Sequence, residues 1–165
     1  MKQALCPGTF DPITNGHIDI IKRASLIFGK VIVAVVKSPF KEALFSYPER
    51  LRLVKEATKS LKGVHVEGFD GLVVDFAARR RVRVIVRGLR MISDFEYEFQ
   101  MALTNRNLAP QLETIFLMPH PQYSYISSRL IKEATSLGAD LKQFLPLAVL
   151  KALRKKIDEN RCRKD

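Results

Sequence analysis

Cysteine is scarce in this sequence: Cys6 and Cys162 stand near opposite ends, and neither has a partner at C-x-x-C spacing. That excludes a disulfide framework and a zinc knuckle. The three histidines, His17, His65 and His120, fall into no metal-ligand pattern either. No window approaches the ~18 consecutive apolar residues of a membrane span, and the apolar stretch in MKQALC is too short for the core of a signal peptide. A cytoplasmic protein with no membrane partner is the expectation. Low-complexity tracts and detectable internal repeats are missing, which points to an ordered globular protein and not a disordered one. Also missing are G-x-G-x-x-G and G-x-x-x-x-G-K-[ST], so neither a dinucleotide fingerprint nor a P-loop applies.

What is present is enough for one compact domain. The 165 residues are 47% hydrophobic and 27% charged, a composition that buries a substantial core without covalent staples. The net charge of +11 raises the question of a nucleic-acid partner. Residues 79 to 90, RRRVRVIVRGLR, contribute +6, and residues 151 to 165 contribute +4. Two local concentrations therefore account for nearly the whole excess, and no continuous basic face is implied. A nucleic-acid partner is not expected.

Apolar runs of strand length alternate with stretches of helical period. Residues 2 to 6, 31 to 36, 64 to 67, 82 to 86 and 114 to 118 read as strands; VIVAVV and VRVIV, with little polar alternation, read as strands covered on both faces. Residues 17 to 28, 47 to 60, 71 to 80 and 94 to 107 read as helices, the first with Ile18, Ile21, Ala24 and Phe28 on one face. Ser46-Tyr47-Pro48-Glu49 is a capping-box start for the second. This order predicts an α/β fold, a doubly wound, Rossmann-like five-stranded parallel sheet with strand order 3-2-1-4-5 and C-terminal helices. Residues 1 to 158 form the domain and 159 to 165 a frayed basic tail. Ligands of such sheets bind at the carboxyl ends of the strands where the strand order reverses, which selects the loops after the first, fourth and fifth strands.

The first loop, PGTFDPITNGH, sets Gly8 and Gly16 where backbone must approach a bulky anion, and it runs into a helix N-terminus that offers unpaired N–H groups. His17 at that terminus is a candidate hydrogen-bond donor to phosphate oxygens whose charge grows during reaction; the plainer alternative is a helix cap. Arg87 and Arg90, in RGLR after the fourth strand, are planar donors suited to a triphosphate. Equally, they could pair with Asp94, Glu96 and Glu98 on the following helix. Residues 123 to 128, YSYISS, lead into another helix, with serines that serve either as caps or as hydroxyl donors to a second anion site. Arg79, Arg80 and Arg81 fall at a helix end, where a solvated basic turn is expected. Lys41 borders the same cleft, where it is either an ordinary solvated loop lysine or a grip on an acceptor phosphate, a role that spacing alone does not indicate.

Three stretches, PGTFDPITNGHIDII, RGLRMISDFEYEFQMALTNR and YSYISSRLIKE, resemble the bacterial phosphopantetheine adenylyltransferases, over roughly residues 4 to 147. The T-N-G-H element alone points only to the wider nucleotidyltransferase superfamily; the other two are far more specific. The resemblance implies transfer of AMP from ATP to 4′-phosphopantetheine, giving dephospho-coenzyme A and pyrophosphate. It assigns the catalytic role to His17. It places ATP against Thr9, Phe10, His17, Gly88, Leu89, Arg90, Glu98, Tyr123, Ser124, Tyr125, Ile126, Ser127, Ser128 and Arg129. It places the acceptor against Thr9, Lys41, Val73, Arg87, Met101 and Asn105. Magnesium as cofactor, a hexameric assembly, and coenzyme A as a product-like feedback ligand also follow from it.

The chain departs from the family's pattern at three points. Cys6 stands where an aromatic or aliphatic residue is more usual, and reads as a small buried strand residue. Arg129 replaces a serine of the ISSS element, and the tail ENRCRKD extends past the resemblance. Two other readings compete: a related nucleotidyltransferase acting on another acceptor, such as a nicotinate or glycerol phosphate compound, and a basic nucleic-acid-binding module. The second leaves the glycine-bearing first loop unexplained.

Overall fold

In the computed structural model the described residues are 2–38 and 42–161, with the side chains of 92–94 left aside. The chain alternates β1 (Gln3–Gly8), α1 (Asn15–Phe28), β2 (Lys30–Val36), α2 (Tyr47–Thr58), β3 (Val64–Phe69), α3 (Val73–Arg79), β4 (Val84–Gly88), α4 (Ile92–Leu108) and β5 (Glu113–Leu117). A 3-10 turn at Pro121–Tyr123 precedes α5 (Ser128–Ser136) and α6 (Leu147–Arg161). The strands form one five-stranded sheet in the order β3-β2-β1-β4-β5, every pair parallel, as the pattern predicts.

The uninterrupted apolar runs have a direct explanation. Val31, Val33 and Val35 of β2 point into one core, with Ala4 and Cys6 of β1, whereas Ile32 and Ala34 point into the other, with Leu5. Because side chains alternate faces along a strand, a strand buried on both sides must be apolar at every position. The first core is closed by α1, α2, α5 and α6, and the second by α3. Each fully buried aliphatic side chain contributes roughly 1.5–3 kcal/mol, so the inner strands β1 and β2, with Leu5, Val31, Val33 and Val35 at 0% exposure, anchor the sheet.

Boundaries differ from expectation at the points that matter for a site. β1 runs on to Gly8 and β3 to Phe69, while β4 begins two residues late, at Val84. α1 starts at Asn15 rather than His17, because Thr14 is its cap and Gly29, at φ 76°, ends it. The basic tail expected from residue 159 begins inside α6, which continues to Arg161. No helix among the described residues is long and apolar enough to cross a membrane.

Candidate active site

The strand order reverses between β1 and β4, and the carboxyl ends of these two strands open onto the start of α1. Gly88 at the end of β4 is in contact with that helix: a Cβ there would come within 3.1 Å of Ile20 Cγ1. The turn from β1 into α1 is capped reciprocally. The Thr14 hydroxyl accepts from the backbone N–H of His17 at 3.3 Å, and His17 Nδ1 accepts from the backbone N–H of Thr14 at 3.0 Å. His17 thus performs the part usually taken by Glu or Gln in a capping box.

That bond fixes the imidazole's chemistry. A backbone amide can only donate, so Nδ1 carries no proton, and the ring proton of the neutral imidazole resides on Nε2. Burial, with the nearby charges of Arg90 and then Arg87, pushes the His17 pKa down to about 4. At neutral pH the ring is therefore an uncharged Nε2–H donor, held at the positive end of a helix. The cap and the donor are one arrangement, not alternatives.

The two arginines are held differently. Arg87 reaches from β4 to α4, where Nε and Nη2 meet the two carboxylate oxygens of Glu98 at 2.7 and 2.5 Å, and Nη1 donates to the carbonyl of Pro7. Although burial disfavours its charge, the Glu98 pair raises the Arg87 pKa above its ordinary value. Arg90 donates through Nη1 to the carbonyl of Ile126 at 2.9 Å, tying the β4 loop to the YSYISS segment. Both electrostatic couplings to His17 show that the imidazole and the two guanidiniums share one locality.

The third loop closes on the same point. Ser127 caps α5 by accepting from the N–H of Leu130 at 3.0 Å, and Ser128 Oγ donates to the carbonyl of Pro12 in the first loop at 2.8 Å. Tyr123 packs on Gly16, where a Cβ would lie 3.2 Å from the tyrosine Cβ. Two helix N-termini, those of α1 and α5, are thereby set side by side with arginines beside them, a surrounding that favours a polyphosphate.

The comparisons with known proteins agree with this geometry. Residues 5–134 match the cytidylyltransferase-like family. A phosphopantetheine adenylyltransferase of Caldanaerobacter subterraneus subsp. tengcongensis is 51% identical over 97% of this chain and 100% of its own length. One from Moorella thermoacetica is 52% identical over 94% of this chain and 98% of its own. The chain belongs to the phosphopantetheine adenylyltransferase family. The fold is shared more widely: a crystal structure provisionally described as a nicotinate-nucleotide adenylyltransferase of Vibrio parahaemolyticus superposes with a TM-score of 0.68, at 18% identity and 95% coverage of both chains. A lipopolysaccharide core biosynthesis protein of Thermoplasma volcanium gives 0.55, at 19% identity over 73% of this chain and 98% of its own.

Within this phosphopantetheine adenylyltransferase fold, the expected site residues fall into groups. Thr9, Phe10, His17, Arg87, Gly88, Leu89, Arg90 and Glu98 lie on the elements that meet at the switch point, joined by Tyr123, Ile126, Ser127 and Ser128 through the contacts above; Ser124 donates to the Pro121 carbonyl and Tyr125, 56% exposed, meets Phe144 edge-on. Val73 opens α3, and Met101 and Asn105 lie on α4, the helix α3 packs against. Arg129 is directed outward, paired with Glu133 one turn along at 2.9 Å and 88% exposed in its side chain. Lys41 lies outside the described residues. Cys6 is buried beneath the site, and burial raises its thiol to about 11 despite Arg87 nearby, so it is a packing residue with no reactive thiolate. Of the basic run, Arg79 and Arg80 lie over the ring of Phe76 at 5.8 and 5.6 Å, and Arg80 also pairs with Glu67.

Three residues that the motifs did not single out belong to the site's framework. Asp11, 6% exposed, accepts from the backbone N–H groups of Leu44 and Phe45 and from Lys132 Nζ. Arg50, 1% exposed, donates only to backbone carbonyls in the bonds described. Lys132 is a one-turn neighbour of Ser128 on α5, and Asp11 follows Phe10 directly. An aspartate inside PGTFDP is a visible signal; an arginine inside an ordinary amphipathic helix such as α2 is not.

Proposed function

We propose that the chain transfers the adenylyl group of ATP to 4′-phosphopantetheine, forming dephospho-coenzyme A and pyrophosphate. The observation that carries the reading is the neutral His17 Nε2–H donor at the N-terminus of α1, flanked by Arg87 and Arg90. The acceptor phosphate is already an anionic nucleophile near neutral pH, so no strong general base is required. Its oxygen attacks the α-phosphorus of ATP, the bond from that phosphorus to the bridging oxygen breaks, and pyrophosphate departs. His17 donates to the α-phosphate oxygens as negative charge accumulates there, and it does so without the cost of reorganisation because Thr14 already fixes its orientation.

Arg90, Gly88, Leu89 and the Ser127 hydroxyl belong to the side that holds the triphosphate, with Thr9, Phe10, Glu98 and residues 123–129 around the nucleotide; the Ser128 hydroxyl gives its proton to the Pro12 carbonyl and shapes the site by holding the two loops together. Arg87 and Lys41 belong to the acceptor phosphate, with Thr9 between the two substrates and Val73, Met101 and Asn105 along the pantetheine arm. Among the described residues no three His, Cys, Asp or Glu side chains gather so as to hold a metal ion. The carboxylates of Asp11 and Glu98 are each engaged by a cation. A magnesium ion would have to be brought mainly by the substrate and not by a protein cage, and would supply charge screening for the departing pyrophosphate beside Arg90 and the His17 imidazole.

The same reading includes a cytoplasmic workplace, coenzyme A as a ligand that competes at the acceptor side, and assembly into a hexamer. The assembly has support in α4: Phe95, Tyr97, Phe99, Met101, Leu103 and Leu108 are all between 38% and 64% exposed. A helix that is apolar and uncovered to this degree is characteristic of a surface that another subunit covers. The deciding experiment is pyrophosphate release with ATP and 4′-phosphopantetheine, repeated with CTP and with dephosphorylated pantetheine. Activity is expected only with the first pair; comparable turnover of the dephosphorylated compound contradicts the acceptor.

A further inference from the structure

Phe10 stands in the nucleotide loop with φ 50°, a left-handed conformation that is costly for an aromatic residue, on the order of 1–3 kcal/mol. Its ring is wedged between two parts of the site. A Cβ on Gly8 would meet the ring at 2.9 Å, and on its other side the ring meets the imidazole of His17 edge-on, with centroids 5.3 Å apart. A residue in such a conformation persists only where its surroundings dictate it.

Both neighbours of Phe10 are held by buried charges. The carbonyl of Thr9 accepts from Arg50 Nη1 at 2.8 Å, and the same guanidinium reaches the carbonyls of Val36, Lys37 and Phe45 at 2.8, 3.0 and 3.2 Å. The carboxylate of Asp11 accepts from the N–H groups of Leu44 and Phe45, both at 2.9 Å, and from Lys132 Nζ at 2.6 Å. The end of β2 and the entry to α2 thus form an anvil on which residues 9 and 11 are fixed. Burying a guanidinium among carbonyls, with no hydrogen-bonded carboxylate, is a poor way to gain stability. What it supplies is geometry.

We infer that Arg50 and Asp11 are positioning residues for the transfer reaction: they hold Phe10 in its left-handed conformation, and the Phe10 ring in turn fixes and shields the His17 imidazole. The inference rests on the role given to His17 above. It predicts that loosening the anvil opens the ring to water without touching either substrate.

The test uses Arg50→Lys, which keeps the charge and loses the planar fork, Asp11→Asn, which keeps an acceptor and loses the charge facing Lys132, and Phe10→Leu. Two readouts are combined: NMR titration of the His17 imidazole in the ligand-free full chain, and steady-state pyrophosphate release per folded site. In the parent protein, where burial pushes the pKa down to about 4, the titration is expected near that value. In each variant that folds, the midpoint is expected to rise by about a unit or more towards 6.5. With it, kcat is expected to fall by about tenfold or more, and in Arg50→Lys and Asp11→Asn, whose side chains are given no substrate contact, the KM for ATP changes by less than about threefold. Three outcomes overturn the inference: parental kcat and titration, a lower melting temperature with per-site kcat unchanged, or a fall in kcat with an unmoved imidazole. If Arg50→Lys does not fold, Asp11→Asn and Phe10→Leu decide by the same criteria. Should the parent protein release no pyrophosphate, the proposed function fails, and the NMR arm still decides whether the anvil holds His17.

Discussion

Arg87 and Glu98 meet side-on, one at the end of β4 and the other on α4, through two parallel hydrogen bonds of 2.7 and 2.5 Å. With the third bond to Pro7, three of the five guanidinium N–H groups are used in the bonds described. By count one N–H remains on each terminal nitrogen, so Arg87 keeps two donors that a phosphate can accept from. Glu98 therefore aims Arg87 and does not compete for its last donors.

It follows that Glu98→Gln should loosen the acceptor grip. The amide offers one acceptor and sets an N–H against a guanidinium N–H. The KM for 4′-phosphopantetheine is expected to rise about tenfold or more, the scale of a lost charge-assisted bond; because Glu98 also belongs to the nucleotide side, the acceptor KM is the readout of its aiming role. Initial rates with each substrate varied in turn would show this; an unchanged acceptor KM would count against the aiming role.

Removal of the imidazole should act on turnover. His17→Ala is expected to lower kcat by about a hundredfold or more, in the range of losing one preorganised donor, while ATP binding changes little. The same substitution leaves the Thr14 N–H without its acceptor, so a stability loss of about 1 kcal/mol accompanies it. Rates and thermal melts on one preparation separate the two effects, and near-normal turnover would refute the catalytic assignment.

The pH dependence follows from the imidazole's pKa. In the unfolded chain His17 takes up a proton near 6.5, whereas in the folded state it does so only near 4. Between those values the unfolded state binds more protons, so stability falls as pH drops through this window and the contribution is complete above it. The integrated effect has an upper bound of roughly 3 to 4 kcal/mol, and partial solvent screening of the ring brings it lower. Melting temperatures across this range should decline in the parent protein, and the slope should diminish in His17→Gln. Equal slopes in both would place the proton uptake elsewhere.

Assembly can be tested on α4. Phe95 and Phe99 stack on one another with ring centroids 5.5 Å apart while each remains 45% exposed. Phe99→Asp puts a charge into the surface proposed to be covered by another subunit, at a cost large enough to shift association by orders of magnitude. Sedimentation velocity should show a smaller species for the variant. A monomeric parent protein would contradict the covered-surface reading.

Much of the fold was legible because it is written in local patterns. The apolar runs of β1 and β2 need only the rule that strands buried on both faces are apolar throughout, and the alternation of strands with helical periods leads to the parallel order. The start of α1 was harder to read, since the box that begins it pairs Thr14 with a histidine where Glu or Gln is usual. The two readings of His17, cap and donor, could not be joined from sequence because the tautomer depends on which nitrogen faces the Thr14 amide.

Sequence by itself determined the alternation of strands and helices and the glycines, hydroxyls and basic groups carried by the loops after the first, fourth and fifth strands, because each of these depends on neighbours a few positions apart. Only the tertiary structure decided that Lys132 joins Asp11, 121 positions away, that Arg87 is aimed by Glu98, and that Arg50 gathers carbonyls from the loop after β1, the end of β2 and the segment before α2. Those partners are brought together by the packing of α2, α4 and α5 on the sheet. No spacing along the chain encodes which carbonyl a buried guanidinium will reach once the helices have docked.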